Sequence, residues 1–157
     1  VTLIPSQPSL FVYNENLSGG VNTGYANYPT SGLSSANSLT VGRGYAAFIR
    51  ECTAPTVVDV TGVINQGTIT YGLTYTNTGD ATADGYNLVG NPYPCTIDWD
   101  FTGWTKTRIS PIISIRDNGT GTMRYWDGTG DITNGQIAPG QAFWVRATAL
   151  NPVLRST

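Results

Sequence analysis

Gly85-Tyr86-Asn87-Leu88-Val89-Gly90-Asn91-Pro92-Tyr93-Pro94-Cys95-Thr96-Ile97-Asp98-Trp99-Asp100 joins a strand, a rigid corner and a carboxylate-flanked tryptophan in one span. Tyr86, Leu88 and Val89 suit a pleated, half-buried surface. Pro92 and Pro94 then stop regular pairing, because proline has no N–H for a ladder and restricts the residue before it. The chain is predicted to leave a sheet here, turn, and present Ile97-Asp98-Trp99-Asp100.

Outward from this corner the pattern stays β. Thr68–Tyr75 alternates Ile69, Tyr71, Leu73 and Tyr75 against Thr70, Gly72 and Thr74, a period of two. Thr56–Ile64 reads as its hairpin partner across Asn65-Gln66-Gly67, with Gly62 as a bulge. Ser9–Tyr13, Tyr45–Arg50, Ile112–Arg116, Thr122–Trp126 and Ala142–Ala147 add further short apolar runs. No segment carries sustained helical periodicity; Thr96–Phe101 or Ser31–Ser38 could hold a helical turn. The expectation is a single all-β domain over residues 1–157, a two-sheet, jelly-roll-like sandwich.

A weak internal repeat supports two similar halves, about 9–51 and 86–150. Leu39–Arg50 aligns with Ile137–Arg146: apolar residue, glycine turn, small residue, aromatic, β-branched residue, arginine. Phe11–Asn16 likewise parallels Ser114–Gly119. The predicted arrangement packs the two halves face to face.

Composition limits the function. The 157 residues suffice for one buried core, and 39% hydrophobic content argues against disorder. Charged residues are only 11%, so Thr, Ser, Asn and Gly carry solubility. A net charge of −2 with scattered arginines gives no basic stripe for nucleic acid. No apolar run approaches a membrane span of about 20 residues. No signal peptide is seen, and a start at Val1 suggests a processed or excised chain. Cys52 and Cys95 are candidates for a disulfide, the alternative being two buried thiols. Such a bridge closes a loop of roughly 40 residues and is worth ~3–4 kcal/mol in the chain-entropy model.

Catalytic chemistry has few carriers. Histidine is absent, which removes the usual general base and any Ser-His-Asp or Cys-His site. Lys106 is the one lysine, in a Thr-Lys-Thr context that suggests exposure. Asp98 and Asp100, at i and i+2, lie roughly 6–7 Å apart if extended, between the two glycosidase spacings. Their simpler role is to cap a turn by accepting backbone N–H bonds. Asp117-Asn118-Gly119 and Asp127-Gly128-Thr129-Gly130-Asp131 are oxygen-rich loops. Asp117, Asp127 and Asp131 are therefore candidate calcium ligands, although neither loop has the full EF-hand spacing and plain turns need no metal. Trp99, Trp104, Tyr125 and Trp126, flanked by Asp and Arg, are candidate sugar platforms, since a pyranose face stacks on an aromatic ring. Trp99 and Trp104 could equally plug the end of the sandwich.

The corner resembles the G-[WY]-N-L-V-G-N-P-Y-P-x-x-I-D-W segment of many large secreted surface proteins of Bacteroidetes bacteria. In those proteins it lies just upstream of the C-terminal sorting domain read by the type IX secretion system. Gly103-Trp104-Thr105-Lys106-Thr107 follows at the usual place, and Gly135–Ala147 resembles the family's G-x-I-x-P-G-Q-A-F-x-V ending. The likeness runs from about Phe11 to Arg155, with no sorting domain before Thr157. It implies an extracellular, secreted or cell-surface location and assigns no catalytic residue.

The combined expectation is a non-catalytic structural or adhesion-type module of a secreted surface protein. Its partners would be polysaccharide or other domains of the same protein, with no nucleic acid and no membrane insertion. One alternative is a carbohydrate-binding module with exposed Trp or Tyr. Another is a self-assembling surface or filament subunit joined through strand edges.

Overall fold

The computed structural model describes residues 9–17, 20–30, 37–49 and 60–157. Twelve strands occur among them: β1 (Leu10–Tyr13), β2 (Tyr25–Asn27), β3 (Tyr45–Ala47), β4 (Ile69–Tyr71), β5 (Tyr86–Gly90), β6 (Ile97–Asp98), β7 (Thr105–Thr107), β8 (Ile109–Arg116), β9 (Met123–Trp126), β10 (Gln136–Ile137), β11 (Ala142–Ala147) and β12 (Val153–Ser156). The protein is all-β, built from antiparallel sheets layered as a sandwich. The sheets run β2-β1-β3, β5-β11-β8-β9, β4-β12-β7 and the short pair β10-β6.

The four-stranded sheet sits at the centre. Its inner face turns Val89, Phe143, Val145 and Ile113 toward the β4-β12-β7 sheet, which answers with Tyr71 and Leu154. Trp99, Ile132 and Ile137 fill the space between them. Phe143, Ile137 and Leu154 have no solvent exposure, so their burial is worth roughly 1.5–3 kcal/mol each. The outer face carries Leu88, Trp144, Ser114 and Tyr125 in one row across the four strands. Against it lies the β2-β1-β3 sheet: the Tyr13 ring meets Trp144 edge-on with centroids 4.6 Å apart.

Strand order and turns run in parallel in two parts of the chain. The β2-β1-β3 order has its counterpart in β9-β8-β11. Phe11 faces Ala46 and Asn27, as Ser114 faces Trp144 and Tyr125. Matching turns precede β3 and β11: Arg43 N–H donates to the Thr40 carbonyl at 3.1 Å, and Gln141 N–H to Ala138 at 3.1 Å. Gly42 (φ 76°) and Gly140 (φ 68°) supply the left-handed backbone that each turn requires. After these turns the two segments flank β5 on opposite edges. Val89 bridges Arg43 on one side and pairs with Phe143 on the other.

Gly85 opens β5 at φ 80°, with its carbonyl accepting from Ala147 N–H at 2.7 Å. A Cβ there would collide with the Ala147 carbonyl oxygen.

Several expectations change. The Thr56–Ile64 strand and its hairpin do not form: residues 56–59 lie outside the described residues, and 60–64 are not in a strand. Ile69–Tyr71 pairs instead with Val153–Ser156 at the end of the chain. A helical turn over Thr96–Phe101 is replaced by β6 and a tight turn. Of Ser31–Ser38, residues 31–36 lie outside the described residues. So does Cys52, and with it the candidate disulfide; Cys95 is exposed on the corner. No helix of the described residues is long and apolar enough to cross a membrane.

Candidate functional site

The Asn91–Asp100 corner is held by its own polar groups. Asn91 is buried; its side-chain amide donates to the carbonyls of Cys95 (2.8 Å), Ile137 (3.1 Å) and Ala138 (3.0 Å). Its oxygen accepts Tyr93 N–H at 2.9 Å, the local turn that Asn favours before a constrained Pro segment. Asp98 caps the following turn, accepting Asp100 N–H at 2.8 Å.

This corner brings three of the candidate tryptophans to the core side. Trp99 is 1% exposed and donates Nε1–H to the Pro111 carbonyl at 2.7 Å, so neither ring face is open to a sugar. Trp104 is half-buried against Trp99, with centroids 5.0 Å apart, and donates to the Asp98 carbonyl at 2.8 Å. Trp126 pairs across strands with Ile113 on the inner face and donates to Asp100 Oδ2 at 2.8 Å. These rings plug the sandwich. Asp98 and Asp100 serve as a turn cap and a tryptophan acceptor. Tyr125, one residue from Trp126, points the other way and is 53% exposed.

Lys106 is also turned inward, contrary to the exposure its Thr-Lys-Thr setting suggests. It pairs with the buried Leu154, and its ammonium donates to the Trp99 carbonyl and sits 3.9 Å from the centroid of that indole. Burial lowers its pKa, with Asp100 and Asp98 opposing the shift.

The three candidate calcium ligands act as turn residues. Asp117 Oδ1 accepts Gly119 N–H at 2.8 Å, and Asp127 Oδ1 accepts Thr129 N–H at 3.1 Å. Asp131 is exposed and its backbone carbonyl accepts from Arg124. Among the described residues, no group of three or more His, Cys, Asp and Glu side chains is placed to hold a metal.

Two carboxylates that the sequence did not single out are buried instead. Glu15 Oε1 accepts from Thr76 N–H (2.6 Å), the Thr76 hydroxyl (2.6 Å) and Gly85 N–H (2.8 Å). Asp84 accepts from Thr78 N–H (2.9 Å), Gly79 N–H (3.0 Å) and the Thr78 hydroxyl (2.7 Å). Glu15 fastens the 74–85 segment to the loop after β1, and Asp84 closes the turn within that segment.

The open concavity lies on the opposite side of the central sheet, between β3 and the outer faces of β5, β8 and β11. This groove of about 410 Å³ is lined by the rings of Phe11, Tyr25, Tyr45, Phe48 and Trp144, together with Leu88. Phe48 is 57% exposed and Tyr25 40%. Tyr25 stands edge-on to Tyr13, centroids 5.4 Å apart, and Tyr13 stands edge-on to Trp144, so packing fixes the ring orientations. Tyr45 is set by accepting Thr40 N–H at 2.8 Å on its hydroxyl. Arg116, Asn118 and Gln141 supply polar groups along the same groove. Burial raises the pKa values of Tyr13 and Tyr25.

A second concavity, about 380 Å³, lies at the corner beside Tyr93, Ile97, Phe101 and Trp104. Its polar groups are already engaged: the Tyr93 hydroxyl donates to the Gly67 carbonyl at 2.7 Å and Asp98 is a cap. The outer groove combines exposed rings with the polar side chains of Arg116, Asn118 and Gln141. No family model, no characterised protein sequence and no solved structure matches the chain.

Proposed function

We propose that this protein is a non-catalytic, extracellular, adhesion-type module of a secreted surface protein, and that it binds saccharide in the outer groove. The observation carrying this reading is the set of packed but open rings, Tyr25 and Phe48 foremost, beside Arg116, Asn118 and Gln141. Sugar recognition uses this combination: aromatic faces take the apolar side of a pyranose while amides and guanidinium bond its hydroxyls. The absence of histidine supports a binding role. So does the use of Asp98, Asp100, Asp117 and Asp127 as turn or indole acceptors. The extracellular location rests on the likeness of the Gly85–Trp99 and Gly135–Ala147 motifs to secreted Bacteroidetes surface proteins.

The test is a glycan-array screen of the chain beside its Phe48→Ala variant. Binding of at least one glycan class that the variant loses supports the groove. Binding that the variant retains in full moves the site elsewhere, and an array with no bound glycan removes the saccharide reading.

A further inference from the structure

We infer that the groove takes an anionic glycan, a pyranose chain carrying carboxylate or sulfate ester groups. This deepens the saccharide reading and rests on it. Among the described lining residues, Arg116 is the one charged side chain; no Asp or Glu lines the groove. The neighbouring acid in sequence, Asp117, is turned into its own loop, where Oδ1 accepts Gly119 N–H at 2.8 Å and Thr120 N–H at 3.3 Å.

The arginines divide by use. Arg108, Arg124 and Arg146 each donate to a backbone carbonyl, of Leu150, Asp131 and Asp84 respectively. Arg116, like Arg43 and Arg155, is exposed and shows no such tie, and of these three it alone lines the groove. Arg116 and Tyr25 line the same groove, and the arginine's charge opposes the rise that burial gives the Tyr25 hydroxyl. A sugar stacked near Tyr25 would thus present its substituents to a planar, forked cation. That fork matches a carboxylate or sulfate with two parallel N–H bonds, a geometry a neutral hydroxyl cannot fill. Asn118 and the Gln141 oxygen remain for ring hydroxyls; the Gln141 amide already donates to the Ala142 carbonyl at 2.8 Å.

The inference is tested by isothermal titration with three oligosaccharide probes: oligogalacturonate (carboxylate), a sulfated dextran oligomer (sulfate ester) and the unmodified dextran oligomer (neutral). The wild-type chain, Arg116→Gln and Phe48→Ala are compared. The expected result is binding of one anionic probe, weakened about tenfold by Arg116→Gln, with little heat from the neutral probe. Which anionic probe binds identifies the group. Equal affinity for neutral and anionic probes, unchanged by Arg116→Gln but lost in Phe48→Ala, overturns the anionic preference and leaves the groove intact. No heat with any probe, or binding that both variants retain, overturns the groove as well. Both substituted residues are exposed, so an unchanged melting temperature certifies the fold of each variant.

Discussion

The two faces of the β5-β11-β8-β9 sheet carry similar aromatic side chains and use them in opposite ways. On the inner side Trp99 and Phe143 are sealed, and the indoles of Trp99, Trp104 and Trp126 each donate to a fixed acceptor. On the outer side Trp144 forms the floor of a groove whose walls, Tyr25 and Phe48, are exposed. Strand parity alone separates the roles: Tyr125 and Trp126 are adjacent, yet one faces out and the other in. Ring type therefore says little about exposure in this protein; the face on which a ring lands decides it.

The contrast breaks most visibly at Trp99. Trp99→Ala empties the centre of the inner side and is expected to cost about 3–5 kcal/mol in a denaturant titration. A loss near 1 kcal/mol would show that the indole is less tightly held than its burial indicates.

Tyr71 sharpens the same side through pH. Its hydroxyl is buried, bonded to Ser156 at 3.0 Å, and its pKa is pushed up to about 12, chiefly by burial. The unfolded chain loses this proton near pH 10.0, so between there and about 12 the folded state binds more protons. Stability intact below pH 10 is thus lost as pH rises, by about 2–3 kcal/mol from this group. Tyr71→Phe should flatten that alkaline decline in melting temperature; an unchanged slope would assign it to other groups.

A crossed pair of variants tests the separation of the two sides. Trp126→Ala should lower stability by about 2 kcal/mol and leave glycan affinity unaltered. Phe48→Ala should lower affinity by about tenfold with a stability change within about 0.5 kcal/mol. Equal losses in both assays for both variants would merge the faces into one site. The smallest effect is expected at the corner, where Asp98→Ala removes a cap worth about 1 kcal/mol, read as a shift in denaturation midpoint.

Much of the framework was legible in the residues. The apolar runs at Tyr86–Val89, Ile112–Arg116, Thr122–Trp126 and Ala142–Ala147 became the central sheet, because a strand that packs on both sides must keep its apolar character along its length. The glycine turns at Gly42 and Gly140 were readable too, and they fix where β3 and β11 begin. β12 was missed: it is four residues long and its partner β4 lies some 80 residues away, so no local pattern announces the pairing. Glu15 was missed for a related reason. Its donors come from Thr76 and Gly85, and only tertiary structure makes a lone acid beside Asn14 and Asn16 a buried acceptor. The sugar platforms were assigned to tryptophans beside loops. Yet Trp99 and Trp104 follow a corner that folds back under the sheet, and loop position gave no hint of that.

The placement of β5 has one more consequence. Its Leu88–Gly90 backbone is bonded on one edge to Gly42 and Gly44 and on the other to the β11 ladder. Neither the segment at Gly42–Gly44 nor β11 can peel away without stripping hydrogen bonds from the strand they share. Local opening of the first segment would therefore be penalised through its neighbour, and the β5 amides should be among the slowest in the molecule to exchange with deuterated water. Segments joined at such a seam are expected to melt together.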